Sequence, residues 1–97
     1  MVRVMIERKC QPGKEQQLRD LLLELRSAAM RQRGYLTGET LREADNPSIF
    51  MVIGTWISLE AWKAWQTARQ RLIIDEMIDC LLAAERTVRV FIEDFDD

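Results

Sequence analysis

Three tryptophans fall within ten residues of this chain, at Trp56, Trp62 and Trp65, and with Tyr35 they offer aromatic surface on which a planar ligand could rest. The charged side chains with apolar neighbours are Asp75, Glu7 and Arg3. Asp75 sits beside Ile73, Ile74 and Met77, while Arg3 and Glu7 alternate with Met5 and so project together from one face of an extended segment. A carboxylate withdrawn from water holds its proton more tightly and can accept one from a phenol. Asp75 and Glu7 are therefore the candidate catalytic residues, and Trp65, Trp56, Arg3 and Tyr35 the candidate substrate-binding residues. The chain contains no histidine, so imidazole acid–base catalysis and histidine ligation are excluded. Cys10 and Cys80 have no companion ligands nearby, which suggests no metal site and reads as two reduced thiols.

Each candidate has a structural alternative. Trp56 ends an apolar strand and reads first as core; Trp62 packs on the sheet or at an interface. Trp65 divides evenly between lining a cavity and filling the core. Asp75 lies one position off an apolar stripe, where a solvated helix face is the simpler reading. Arg3 and Glu7 could form an ion pair at a strand edge. Gly38 either leaves room for a ligand or marks a bulge. Met5, Met30, Met51 and Met77 read as core filler.

The elements that must position these residues follow from periodicity. Val2 to Lys9 alternates as a strand, and Pro12-Gly13 breaks the chain before a helix from Lys14 to Arg33 carrying Leu18, Leu21, Leu22 and Leu25. Gly34 stops that helix, and Tyr35 to Glu43 is a second strand. Asp45-Asn46-Pro47-Ser48 makes a turn into a third strand, Ile49 to Trp56, which is apolar at five consecutive positions and so expects burial on both faces. Ser58 caps a helical stretch that runs to about Ala84, with a break expected near Thr67 to Gln70. Its second half presents Ile73, Ile74, Met77, Ile78 and Leu81. Thr87 to Phe95 alternates as a last strand ahead of an acidic end.

The order β-α-β-β-α-β is an α+β, ferredoxin-like arrangement with a four-stranded antiparallel sheet. Helices cover one face of such a sheet. The apolar third and fourth strands require a cover for the other, and a twofold partner that closes a barrel supplies it, so a homodimer is expected. Its 97 residues read as a single domain over 1–97. The net charge is −2 with no basic stripe, which argues against nucleic acid. The apolar runs, about five residues long, fall far short of the roughly 20 needed to span a bilayer, and the N-terminus lacks a signal-peptide core. A cytoplasmic location is the expectation.

The segment Trp56-Ile57-Ser58-Leu59-Glu60-Ala61-Trp62-Lys63-Ala64-Trp65 resembles the antibiotic biosynthesis monooxygenase (ABM) family of dimeric α/β barrels. That family carries a Trp, a Ser or Asp helix cap, Glu-Ala, an aromatic residue and then a pocket residue. Gln11-Pro12-Gly13-Lys14-Glu15, Arg33-Gly34-Tyr35-Leu36 and Asp45-Asn46-Pro47 extend the resemblance over nearly the whole chain. It implies a small monooxygenase acting on an aromatic or quinol-type molecule without metal, flavin or other cofactor; a non-catalytic barrel that binds a hydrophobic ligand or serves a structural role is the alternative. A heme-degrading branch uses an Asn, a Trp and a His, and the matching positions here are Ile6, Trp65 and Asp75. Only the Trp is kept. The resemblance implies that Trp65 lines a cavity between sheet and helices, reached by at least one of Asp75, Glu7 and Arg3.

Overall fold

The computed structural model describes residues 1–94. Strand β1 (Val2–Lys9) is followed by helix α1 (Glu15–Ala29), strands β2 (Tyr35–Arg42) and β3 (Ile49–Trp56), helices α2 (Leu59–Gln66) and α3 (Arg69–Asp79), and strand β4 (Thr87–Ile92). The sheet order is β2-β3-β1-β4, antiparallel throughout, which is the ferredoxin-like α+β arrangement expected. Phe95, placed on the last strand by its alternation, lies outside the described residues.

Helix α1 buries Leu18, Leu22, Leu25 and Ala29, a spacing of three and four that keeps one face on the sheet. It ends sooner than Arg33 because Arg31 and Gln32 donate to the carbonyls three residues back, tightening the last turn. Gly34 then takes φ 89°, a left-handed conformation; a Cβ there would also stand 2.6 Å from the Ala61 Cβ. Ser58 caps α2, its Oγ accepting the Ala61 N–H at 3.1 Å. The expected break falls at Thr67 and Ala68, where Ala68 is extended. Helix α3 stops at Asp79 rather than near Ala84 because the chain beyond it pairs with the end of β1. Gln11 N–H donates to the Leu81 carbonyl at 2.9 Å and Ala83 N–H to the Lys9 carbonyl at 2.8 Å, around a Cys10–Leu82 bridge.

The helices cover the face that carries Val2, Val4, Ile6, Phe50 and Trp56, all buried. The opposite face presents Arg3, Met5, Glu7, Met51, Ile53, Thr55 and Phe91 and is open in the single chain. Val88, Val90 and Ile92 share the helix side of the sheet with Val4 and Ile6, yet are exposed because β4 lies beyond the reach of the helices. No helix among the described residues is long and apolar enough to cross a membrane.

Candidate active site

Between sheet and helices lies a cavity of about 60 Å³. Its floor is the sheet, through Val4, Ile6, Val52, Gly54 and Trp56. One wall is α1, through Leu22, Leu25 and Ala29; Trp65 of α2 and Arg71 of α3 form the other. Thr40 is the one exposed residue of this lining and marks the mouth, where its Oγ1 accepts from the Arg26 Nη2 at 2.8 Å.

A β-bulge shapes the β2 side. Tyr35 pairs with Trp56 but Thr37 with Thr55, so one extra residue, Leu36, is absorbed on β2. Without that insertion Tyr35 and Gly38, three positions apart, would face opposite sides. With it both face the cavity, and the Tyr35 hydroxyl occupies the space a side chain at Gly38 would need. Tyr35 packs edge-on against Trp56 with ring centroids 5.2 Å apart, and Trp56 stacks on Trp65 at 6.4 Å. Burial pushes the Tyr35 hydroxyl above its ordinary pKa of 10.0, and Arg26 opposes this more weakly.

A charged cluster adjoins the cavity, with Arg8 and Arg71 in its lining. Arg8 is 0% exposed, with Nη2 at 3.4 Å from Asp75 Oδ1, while its Nε and Nη1 have no partner among the described residues. Arg71, also buried, donates through Nε to Asp75 Oδ2 at 2.8 Å and lays its guanidinium over Trp62 at 4.8 Å. Arg86 approaches Asp75 Oδ2 at 3.6 Å and bonds Asp79 at the rim. Desolvation lowers the Arg8 pKa to about 10, against the opposing pull of Asp75. Arg8 therefore stays cationic at neutral pH.

Trp65, Trp56 and Tyr35, singled out from the sequence, line the cavity together. Asp75, Glu7 and Arg3 are absent from its lining, contrary to the expectation that one of them reaches it. Asp75 is neither on a solvated face nor open to the cavity, because three guanidiniums enclose it. Glu7 and Arg3 occupy the outward phase of β1 and point to the open face. The buried arc of α3 is Arg71, Ile74, Asp75 and Ile78, whereas Ile73 and Met77 of the expected stripe are exposed. Arg8 and Arg71 were missed. Arg8 had a legible signal, since it continues the inward phase of Val2, Val4 and Ile6. Both cysteines are free, Cys10 buried and Cys80 exposed.

A family model described as antibiotic biosynthesis monooxygenase matches residues 1–72 of the 97. The chain belongs to the ABM family. No curated protein matches it. Among solved structures, a conserved protein of Methanosarcina mazei Go1 is 18% identical, with 93% of this chain and 89% of that one covered and a TM-score of 0.88. Rv0793 of Mycobacterium tuberculosis is 19% identical over 99% and 96% of the two chains, with a TM-score of 0.87. SnoaB of Streptomyces nogalater, a cofactor-independent oxygenase, is 16% identical over 98% and 95%, with a TM-score of 0.84. At these identities the likeness is one of fold. ABM membership supports a monooxygenase type of activity and leaves the substrate open. The matched segment includes Arg8, the tryptophans and Arg71; Asp75 and Arg86 lie beyond it.

Proposed function

We propose that this ABM-family protein is a small monooxygenase that oxidises an aromatic or quinol-type molecule without metal or flavin, as a homodimer. The observation that carries this reading is the cavity between sheet and helices, walled mainly by aliphatic side chains, Trp56, Trp65 and Tyr35, with Arg8, Arg26 and Arg71 also in its lining. An apolar enclosure of this kind holds a planar ring and excludes water from a reactive anion. SnoaB, which has the same fold, is a cofactor-independent oxygenase.

The chemistry asks little of the protein. A phenol that loses its O–H proton becomes a phenolate able to give an electron to dioxygen. Carbon–oxygen bond formation at a ring C–H carbon yields a hydroperoxide, and its O–O bond breaks as that C–H proton leaves. Both carbons end as carbonyls and the other oxygen atom as water, so one phenol O–H, one ring C–H and O₂ become two C=O and H₂O. Binding and orientation supply much of the acceleration. Among the described residues the lining offers no carboxylate, so proton removal depends on an acidic substrate in a favourable field. A cavity of about 60 Å³ is smaller than the roughly 150 Å³ that encloses benzene, so an aromatic substrate enters by parting Arg26 from Thr40 or protrudes between them.

Oxygen uptake with a panel of quinols and phenols tests the proposal. Turnover with at least one is expected, and Trp65→Phe is expected to alter binding more than melting temperature, while Trp56→Phe does the reverse. The missing carboxylate favours one second reading, a barrel that binds such molecules without oxidising them. Saturable binding with no oxygen uptake from any member of the panel would establish it in place of the enzyme.

A further inference from the structure

Among the described residues the buried charge cluster does not balance. Arg8 and Arg71 carry two positive charges against the one negative charge of Asp75, and all three side chains are almost wholly removed from water. The outer pair, Arg86 and Asp79, is neutral between its members and leaves the excess in place. A buried guanidinium is costly unless its donors are matched. Arg8 keeps Nε and Nη1 without partners although it lines the cavity, and both can only donate. Asp75 does not take them up: it meets Arg8 only through Oδ1 at 3.4 Å from Nη2, and its Oδ2 is held by Arg71 at 2.8 Å.

We propose that Arg8 is the anion receptor of the cavity, so that the molecule bound there carries a negatively charged oxygen, a carboxylate or an ionised phenol or enol, joined to an apolar ring. The inference rests on reading the cavity as the ligand site and adds the charge of the ligand to it. The oxygen meets the free Arg8 donors while the ring lies along Ile6, Leu25 and Trp65, all of which line the same space. In this setting the attraction is stronger than at a surface, because apolar walls exclude water and salt. Asp75 is a positioning residue: it holds Arg8 and Arg71 in place and touches no ligand. The field of Arg8 also favours the ionised form of an acidic substrate, which supplies help with proton removal that no lining carboxylate provides.

The test compares benzoate with benzamide, which have nearly the same shape and differ in charge, on the full-length protein by quenching of tryptophan fluorescence. Benzoate is expected to bind at least tenfold more tightly. Arg8→Met is expected to bring the two within about twofold, chiefly by weakening benzoate, and Arg8→Lys to keep most of the preference. A second arm uses 4-nitrophenol near neutral pH, where binding to the wild-type protein should increase the phenolate absorbance and binding to Arg8→Met should not. A response to benzoate alone assigns Arg8 to a carboxylate substituent, and a response in both arms assigns it to the reacting oxygen as well. Equal binding of benzoate and benzamide by the wild-type protein overturns the anion receptor while leaving the cavity reading intact. Failure of both to bind overturns the cavity reading and the receptor together. A preference that survives in Arg8→Met overturns the assignment to this residue. If Arg8→Met does not fold, the wild-type comparison still tests the anion preference itself.

Discussion

Glu7 and Arg8 are neighbours on β1 and meet opposite environments. Arg8 points under the helices, is 0% exposed and is held by a carboxylate from α3. Glu7 points to the uncovered face of the sheet and is exposed, as is Arg3. The contrast shows what makes a charge functional in this fold. On the covered face a charge is costly, so it must be paired or be reserved for a ligand. On the other face water screens it, and its contribution to stability is small. The covered face holds the aromatic cavity, and the uncovered face is the one on which the proposed dimer would place a second copy of the chain.

Removing the carboxylate of the buried cluster should have the largest effect. Asp75→Ala leaves Arg8 and Arg71 without their common partner and is expected to cost ~3–5 kcal/mol in urea unfolding, whereas Glu7→Ala should cost less than about 1 kcal/mol. Equal costs would erase the distinction between the faces.

Ile53→Asp probes the uncovered face. If that face joins two copies, an unpaired carboxylate there should weaken association by about 3 kcal/mol, roughly a hundredfold in the dissociation constant. Sedimentation should show the wild-type chain at twice its 11.4 kDa mass and the variant at that mass. A wild-type monomer with cooperative unfolding would remove the need for a partner.

Gly34→Ala acts on the hinge that brings β2 to the cavity. It forces a side chain into φ 89° and against Ala61 and Ile57, and a loss of ~1–3 kcal/mol is expected from thermal or urea unfolding. The smallest effect concerns Tyr35. It is the chain's single tyrosine, so its titration can be followed by ultraviolet absorbance, with a midpoint above 10.0 expected because burial disfavours the phenolate. The folded state then holds this proton more tightly than the unfolded chain. The stabilising contribution is complete below pH 10 and is lost as pH rises through the folded-state midpoint. A midpoint at or below 10.0 would place Tyr35 in water rather than against the cavity.

Much of the frame was legible in advance. Alternation located β1 and a continuous apolar run located β3 to the residue, and Ser58 announced α2. The helix limits were less legible because tertiary partners set them, as the pairing of Leu81 and Ala83 with the end of β1 shows. The face of α3 was misjudged for a related reason. Ile73 and Ile74 are adjacent, and hydrophobicity alone could not show that Arg71 and Asp75 would occupy the buried arc by neutralising one another.

The sequence by itself determined the α+β order, the family and the aromatic cluster, since these rest on local periodicity, capping and short motifs read within a few turns or strands. It also determined that no histidine takes part. The tertiary structure decided which charges matter. Arg8 and Asp75 are 67 positions apart, and only sheet register together with helix packing places them 3.4 Å from each other. The bulge at Leu36, which turns Tyr35 and Gly38 to the same side, likewise exists only in the pairing of β2 with β3. Contacts between distant segments depend on how faces are covered, and local pattern carries no record of what will cover them.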